Sequence, residues 1–434
     1  MSRFARLLVP FVCAVSVAAS ASASAQQAEE TRWWKGNTHT HSWWSDGDTP
    51  PEMISAWYKE RGWNFVVFSD HNIMQDGVKW YPLTKPATQQ AYQDYLKGFG
   101  PDWVETRDNA GVTEVKIKTL DEFGALYSEP GKFIFVKGLE ITGKFHTHPI
   151  HINGVNVATK IEPQAGDSIA GVIQNTVNAV NAYGESAGRP VFAHLNHPNF
   201  HYAVQPEDFF NIDAAPGEGF FEIYNGHPRV HNAGDALHHP TERMWDIVLA
   251  KRLGEFNKSV VYGMATDDAH EYTAWGEGKT NPGRGWVMVR AKRLTPNTIT
   301  TAMKQGDFYS SSGVELEALT ANPSGLSLKV RPKDGVKYRI EFVGTLKTAN
   351  LKGTPKAVPH EHEGNADHVH KLTYTYSKDV GRVLKSVEGT EAHYTLTGKE
   401  LYVRARVVSD RPHPNAAEPG DVEMAWTQPV VPAK

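Results

Sequence analysis

Short apolar runs, set between polar loops rich in glycine and proline, give this chain its rhythm. Phe65 to Phe68, Phe133 to Val136, Pro190 to Ala193 and Val260 to Ala265 each read as a short buried strand. Helical spacing predicts helices near Gln89 to Leu96, Ile169 to Tyr183 and Glu242 to Leu253. Thr49-Pro50-Pro51-Glu52 reads as a helix start, with Thr49 as N-cap, Pro50 at the first helical position and Glu52 completing a capping box; Gly62 ends that helix. Strand, loop, helix, strand is the order of an α/β fold. Residues 73–130 interrupt it with a stretch rich in Trp, Tyr, Gln and Asp, which reads as a lid or substrate wall or as a plain surface excursion. After about residue 313 the pattern changes. Leu326 to Val330, Tyr338 to Val343, Ala392 to Leu396 and Leu401 to Val408 are short, partly alternating runs that predict a small antiparallel β-domain over 313–434.

Length and composition narrow the picture. The 434 residues suffice for one large domain and a small one, and 40% hydrophobic content supports a substantial core. A net charge of −4 without a polybasic run gives no electrostatic footprint for nucleic acid. Arg3 and Arg6, the apolar stretch Leu7 to Ala19 and the small residues Ala23-Ser24-Ala25 have the order of a secretory signal over residues 1–25. The apolar stretch is short for a membrane span, so a soluble periplasmic or secreted protein is expected. The single cysteine, Cys13, lies inside that segment, so disulfides are not expected to contribute to stability.

The polar residues that follow the apolar runs carry the chemistry. His39-Thr40-His41 with Asp46 comes first, then Asp70-His71 after the run ending at Phe68. Glu140 and His151 follow the third run, His194 and His197 the fourth, and Asp267, Asp268 and His270 the fifth. Side chains two apart on extended chain point to the same side, so His39 and His41 can reach one ion, as can Asp268 and His270. One His-x-His is weak evidence. Five clusters of imidazole and carboxylate, each near a strand end, describe a site for several borderline or hard divalent ions at one face of a βα-barrel. His360, His362, His368 and His370 sit in a Gly- and Glu-containing segment of the β-region and read as a solvated loop.

The runs Gly36-Asn37-Thr38-His39-Thr40-His41, Ser45-Asp46-Gly47 and Ser69-Asp70-His71-Asn72 resemble the polymerase-and-histidinol-phosphatase (PHP) family. Gly138-Leu139-Glu140, His151-Ile152-Asn153, Asn196-His197-Pro198-Asn199, Phe221 to Gly226 and Asp267 to His270 follow in that family's order. The leader and the tail ending in Trp426-Thr427-Gln428-Pro429 are similar to its secreted carbaryl-hydrolase-like branch. The resemblance implies a distorted (β/α)7 barrel over residues 33–312 and three divalent ions: zinc, manganese or iron. It assigns His39, His41, Glu140 and Asp268 to the first ion. Glu140 bridges to a second held by His151 and His197, while Asp46, His71 and His270 hold the third. His146 and His148 compete with His151, and His194 competes with His197. Asp70 and Asp267 are expected to orient ligating imidazoles from behind.

Such ions make hydroxide available near neutral pH and polarise the electrophile. Three ions with Glu140, Asp46, Asp268 and a bridging hydroxide leave roughly +2 at the site, which suits a phosphate monoester dianion. The expectation is a secreted multinuclear phosphoesterase acting on a small anionic ester, with a bridging hydroxide as nucleophile and Glu140 and Asp268 in the catalytic set. The alternative is a carbamate or carboxylic ester hydrolase using the same metals; a non-catalytic binding protein is the distant third. His227 or His231 could protonate the leaving group. Arg284, Arg229 and Tyr224 are candidate substrate contacts, and Trp43 and Trp44 candidate pocket walls.

Overall fold

The computed structural model describes residues 30–215, 217–357 and 372–433. The leader at 1–25 and His360, His362, His368 and His370 lie outside the described residues. Residues 31–434 form one compact unit. Two sheets carry most of the strands. The larger runs in the order Arg382–Glu388, Tyr338–Leu346, Glu400–Pro412, Val422–Thr427, Phe308–Ser311, Trp286–Ala291, Arg32–Asn37, Phe65–Val66, Ile134–Phe135. The smaller has five strands, ordered Tyr262–Thr266, Gly219–Asn225, Phe192–Leu195, His148–Val155, Gly138–Phe145.

The architecture is mixed α/β, and no continuous ladder closes the sheets into the expected barrel. Among the described residues, strand pairing between the two sheets consists of single parallel bridges at the seams, Thr40 with Ala269 and His71 with Glu140. All four residues belong to or adjoin the ligand clusters. Strand pairing therefore gives way to side-chain chemistry where the ladders would have joined.

Another departure is the hairpin of Gly138–Phe145 and His148–Val155, which pair antiparallel. The apolar run ending at Val136 suggested a strand followed by Glu140 in a loop. Instead Glu140 and His151 lie inside strands, because the chain reverses at His146, whose φ is +50°. Such a hairpin needs no crossover helix.

The helices appear where the spacing predicts them, at Pro86–Phe99, Ile169–Ala187 and Thr241–Gly254. Ile169, Val172, Ile173, Thr176, Val177, Val180 and Gly184 make the buried stripe of the second. This is the apolar face of an amphipathic helix laid on the five-stranded sheet. The first helix, Pro51–Glu60, starts one residue later than expected. Its N-cap is Pro50 and no side chain caps it. Thr49 donates to Asp48 Oδ1 at 2.6 Å. Glu52 is buried instead, accepting from Tyr95 Oη at 2.6 Å and Trp103 Nε1 at 2.8 Å. Both partners belong to the insertion, whose bulk claims the carboxylate that a capping box would have used.

The insertion builds a three-stranded sheet of Lys79–Pro82, Val112–Ile117 and Thr106–Asn109 beside the helix Pro86–Phe99. Trp43 and Trp44 are buried in its apolar core with Tyr95, Val104, Val115 and Ile117. Trp43 stacks on Tyr81 at 4.8 Å. The two tryptophans thus anchor the insertion to the first ligand loop and are not pocket walls. The C-terminal strands appear close to their expected positions, at Gly325–Val330, Tyr338–Leu346, Glu391–Thr395 and Glu400–Pro412. Val422–Thr427 pairs with Phe308–Ser311, so this region continues the sheet that carries Arg32–Asn37.

Candidate metal centre

Each ligand segment leaves a buried strand and is fixed by backbone bonds to its neighbour. His41 N donates to Ala269 O at 2.9 Å and Asp268 N to His39 O at 3.0 Å, stitching the first and last clusters together. Ser69 N donates to Thr40 O and Asn72 N to Glu140 O. Asp268 has φ +48° and His197 φ +21°, conformations that favour glycine and cost of order 1–3 kcal/mol at other residues. The His197 amide is held by Glu222 Oε2 at 2.7 Å, and the Asp268 amide by the bond to His39.

Glu140 sits at the centre, fully buried. Its Oε1 faces His151 Nδ1 at 3.0 Å and His197 Nε2 at 3.4 Å. Its Oε2 faces His71 Nδ1 at 2.9 Å, His41 Nε2 at 3.3 Å and His39 Nε2 at 3.5 Å. Asp268 Oδ1 approaches His39 Nε2 at 3.1 Å and His41 Nε2 at 3.2 Å. Asp46 is half exposed and lies 3.4 Å from His270 Nε2 and 3.6 Å from both His71 Nε2 and His41 Nδ1. Four overlapping groups have ligand atoms close enough to share an ion: His39-His41-Asp268, His39-Glu140-His197, His71-Glu140-His151 and His41-Asp46-His71-His270.

The donor set fits divalent ions on an observation independent of the spacing. His39 Nε2, His41 Nε2, Glu140 Oε2 and His151 Nδ1 are buried without a hydrogen-bond partner. Orphaned polar atoms in a core are costly, and here they converge on the same few ångströms. The electrostatics shows the same frustration. Burial pushes His41 down to about 3, with His270 and His71 adding like-charge repulsion. Burial also opposes protonation of His71, but Glu140 and Asp46 override it and push this imidazole up to about 11. Glu140 is desolvated, yet His71, His151 and His39 hold it well below the usual carboxylate range.

All nine expected ligands, His39, His41, Asp46, His71, Glu140, His151, His197, Asp268 and His270, fall in these groups. His146 and His148 do not, and His194 lies fully buried beside Glu222, its Nδ1 3.7 Å from Oε1. Burial keeps His194 neutral by pushing it down to about 4.

The carboxylates behind the ligands differ from expectation. Asp267 bonds to no imidazole among the described residues. It accepts from Tyr58 Oη at 2.8 Å and from the amides of Arg284 and Gly285 at 2.7 and 3.0 Å, bracing the loop that precedes Trp286–Ala291. Asp70 acts at one remove. It accepts from Ser45 Oγ at 2.8 Å, and that hydroxyl lies 3.2 Å from His41 Nδ1. The carboxylate that orients a ligand directly is Glu222. Its Oε1 lies 2.8 Å from His39 Nδ1 and accepts from Thr266 Oγ1, while Oε2 takes the His197 amide and Asn225 Nδ2. Asn225 also donates to Asp268 Oδ2 at 3.1 Å, so Glu222 supports three ligands. Glu222 lies in the run Phe221 to Gly226, which contributed to the family resemblance but to which no role at the site was given.

Two of the expected substrate contacts are structural. Arg284 is wholly buried, with its guanidinium donating to the carbonyls of Asn415, Gly226, Lys279 and Gly276. A Cβ on Gly226 would come within 2.7 Å of the Arg284 side chain, which explains the glycine there. Tyr224 is buried and stacks on Trp426 at 5.8 Å. Arg229 is exposed, and its amide donates to His227 Nδ1 at 3.1 Å. His227 is buried, with its ring 5.6 Å from that of His270. Burial pushes it down to about 4, so at pH 7 the ring is neutral, and with Nδ1 accepting, its proton sits on Nε2. His231 stacks on Tyr202 at 5.1 Å.

No family model matches the chain, and no curated protein matches it. Among solved structures it is similar to a two-domain protein from Bacteroides vulgatus described as containing a predicted PHP-like metal-dependent phosphoesterase. The identity is 12% and the TM-score 0.36, over 92% of this chain and 95% of that one. It is also similar to an amidohydrolase from Chromobacterium violaceum with bound sulfate and no metal, at 13% identity and TM-score 0.27 over 54% and 87% of the two chains. A third is a protein from Bifidobacterium adolescentis described as a putative metal-dependent phosphoesterase, at 12% identity and TM-score 0.27 over 62% and 94%. Likenesses this distant carry no argument about chemistry, which rests on the side chains themselves.

Proposed function

We propose that the protein is a multinuclear metal-dependent hydrolase of the PHP type, acting as a phosphoesterase. One observation carries the reading: a buried carboxylate, Glu140, presents each oxygen to a different set of imidazoles, among orphaned buried donors and acceptors. His39, His41 and Asp268 with Glu140 would hold one ion, Glu140 with His151 and His197 a second, and Asp46, His71 and His270 a third. Ions so held lower the pKa of a bound water toward neutrality and polarise a phosphoryl oxygen.

The chain's residues supply the rest. Glu222 fixes the His39 ring and the His197 backbone, so the ligand atoms converge before substrate arrives. In hydrolysis water adds to phosphorus, the ester P–O bond breaks, and the leaving oxygen takes a proton. His227, neutral with its proton on Nε2, suits a hydrogen-bond donor to developing negative charge better than an acid that ionises. Arg229 is the exposed cation beside it. The reading places the site within residues 33–312 and assigns 313–434 to a supporting β-region.

Matched esters test the reading. Metal-replete protein should hydrolyse an aryl phosphate with a higher kcat/KM than the corresponding aryl carbamate, and inorganic phosphate should inhibit competitively. A phosphoryl group offers several anionic oxygens to the centre, whereas a carbamate offers one neutral carbonyl. A clear preference for the carbamate without phosphate inhibition would make the protein a carbamate or ester hydrolase of the carbaryl-hydrolase-like branch. We also infer export, with the mature chain starting near Gln26 in the periplasm or outside the cell. Mass spectrometry of protein from those fractions should find residues 1–25 removed, and their retention would overturn the inference.

A further inference from the structure

The hairpin that carries Glu140 and His151 continues past the metal centre. Residues two apart on a strand face the same side, and directly opposed residues of an antiparallel pair share that side. Glu140, Thr142 and Lys144 therefore stand in a row, with His151 opposite Thr142 and Pro149 opposite Lys144. Exposure rises along the row: Glu140 is buried, Thr142 half-buried and Lys144 exposed. Thr142 and Lys144, with His151 and Pro149 opposite them, line a groove of about 490 Å³, walled by the loop Pro163, Gln164, Ala165. Its inner end is the metal centre itself, since His151 lines the groove and Thr142 Oγ1 lies 2.6 Å from His71 Nδ1.

The wall is set in place by one bond within the loop and one from the helix Ile169–Ala187. Gln164 Nε2 donates to Glu162 O at 2.6 Å, and Ala165 O accepts from Asn175 Nδ2 at 2.7 Å. The volume lies in the usual range for a small-molecule site. The lining is unlike that of an aryl-binding pocket. Among the residues described there, none is Phe, Tyr or Trp; Thr142, Thr147 and Gln164 bring hydroxyl and amide groups, and Lys144 is the one formal charge.

We propose that this groove receives the leaving group of the substrate and selects an aliphatic, hydroxyl-bearing group with a second negative charge. This rests on the phosphoesterase reading. The phosphate would sit at Glu140 and its neighbours, and the second anion would meet Lys144. Each two-residue step along a strand is about 6.8 Å, so a chain of a few carbons suffices once the lysine side chain folds inward. Hydroxyls along that chain would find Thr142, Thr147 and Gln164. An aromatic leaving group would meet no Phe, Tyr or Trp in this lining.

Three phosphate esters test this on metal-replete protein: 3-phosphoglycerate, glycerol 3-phosphate and phenyl phosphate. The first two differ chiefly by a carboxylate. We expect kcat/KM for phosphoglycerate to exceed that for glycerol phosphate at least tenfold, with phenyl phosphate the poorest. Lys144→Met should bring the first ratio close to one, and Lys144→Arg should restore most of it. Calorimetry gives a readout apart from turnover. 2-Carboxyethylphosphonate should bind about tenfold tighter than ethylphosphonate to the wild type and no tighter to Lys144→Met. Equal rates on phosphoglycerate and glycerol phosphate, or a preference that survives Lys144→Met, would overturn the inference and leave the phosphoesterase reading intact. Failure to hydrolyse any of the three would overturn both.

Discussion

Glu140 should be the most sensitive position in the centre, because its two oxygens serve different imidazole sets. Glu140→Ala should therefore lose more than one metal equivalent and reduce kcat by several orders of magnitude. His270 belongs only to the group around Asp46. His270→Ala should lose chiefly that ion and keep the others. Elemental analysis of the two variants beside wild type distinguishes these outcomes, and a single ion per wild-type chain would refute the multinuclear reading. Arg284 tests a different point. Its buried guanidinium donates to four carbonyls, so Arg284→Met should destabilise by roughly 3 kcal/mol, read as a fall in Tm. Loss of activity without loss of stability would return Arg284 to the substrate. The clustering of these side chains was legible because imidazole and carboxylate recur beside strands at spacings that bring them together. Arg284 and Tyr224 were misread because proximity in sequence to a site does not reveal which way a side chain packs. Glu222 lay inside a recognised run, Phe221 to Gly226, but a single acid flanked by Phe221 and Ile223 does not reveal which imidazole it faces.

The insertion and the first helix share one buried carboxylate, and its titration can be followed. Glu52 accepts from Tyr95 and Trp103 through Oε1, while Oε2 is buried without a partner. Burial raises its pKa, and the two hydrogen bonds only partly offset this. A carboxyl whose pKa is raised on folding favours the folded state while protonated. Its contribution is complete below the ordinary glutamate value and is lost as pH climbs through the raised one. Glu52→Gln keeps an acceptor for both donors and removes the charge. The variant should match wild type in Tm near pH 4 and exceed it increasingly toward pH 8. A difference independent of pH, or a variant less stable at pH 8, would contradict this. From sequence the same glutamate read as a capping-box residue, because Thr-x-x-Glu spacing is local and the insertion's claim on it is not. The helix Ile169–Ala187 was legible because its buried stripe keeps the 3.6-residue period, whereas the short helices Leu120–Tyr127 and Pro296–Lys304 were not anticipated. The hairpin at Glu140 was not, since a turn through His146 carries none of the usual Gly or Asn signals.

The C-terminal strands are expected from their alternation to form a region of their own, yet their pairing joins them to the rest. Val422–Thr427 bonds to Phe308–Ser311, and a buried charge cluster ties Glu400–Pro412 to the helix Thr241–Gly254. Arg404 is fully buried. Its Nε and Nη2 donate to the two oxygens of Asp246 at 2.9 and 2.8 Å, Nη2 also reaches Glu242 at 2.7 Å, and the guanidinium lies 4.8 Å from the Trp245 ring. Burial alone would weaken this cation, but Asp246 and Glu242 outweigh it and raise its pKa. Sequence patterning cannot foresee such a link, because Arg404 and Asp246 are 158 positions apart, on a strand and a helix with no local signal that pairs them. Removing one member strands the other charge in the core. Arg404→Met should cost about 3–5 kcal/mol, and pairing it with Asp246→Leu should recover much of that loss, because apolar packing then replaces the desolvated pair. Because the sheet and this cluster both cross residue 313, tryptophan fluorescence and far-UV circular dichroism should report one coincident unfolding transition in wild type. Twelve tryptophans, most of them N-terminal to residue 313, make fluorescence chiefly a probe of the region carrying the site. An earlier transition seen only by circular dichroism would mean that the C-terminal strands melt separately. In that event Arg404→Met should advance the early transition and leave the later one in place.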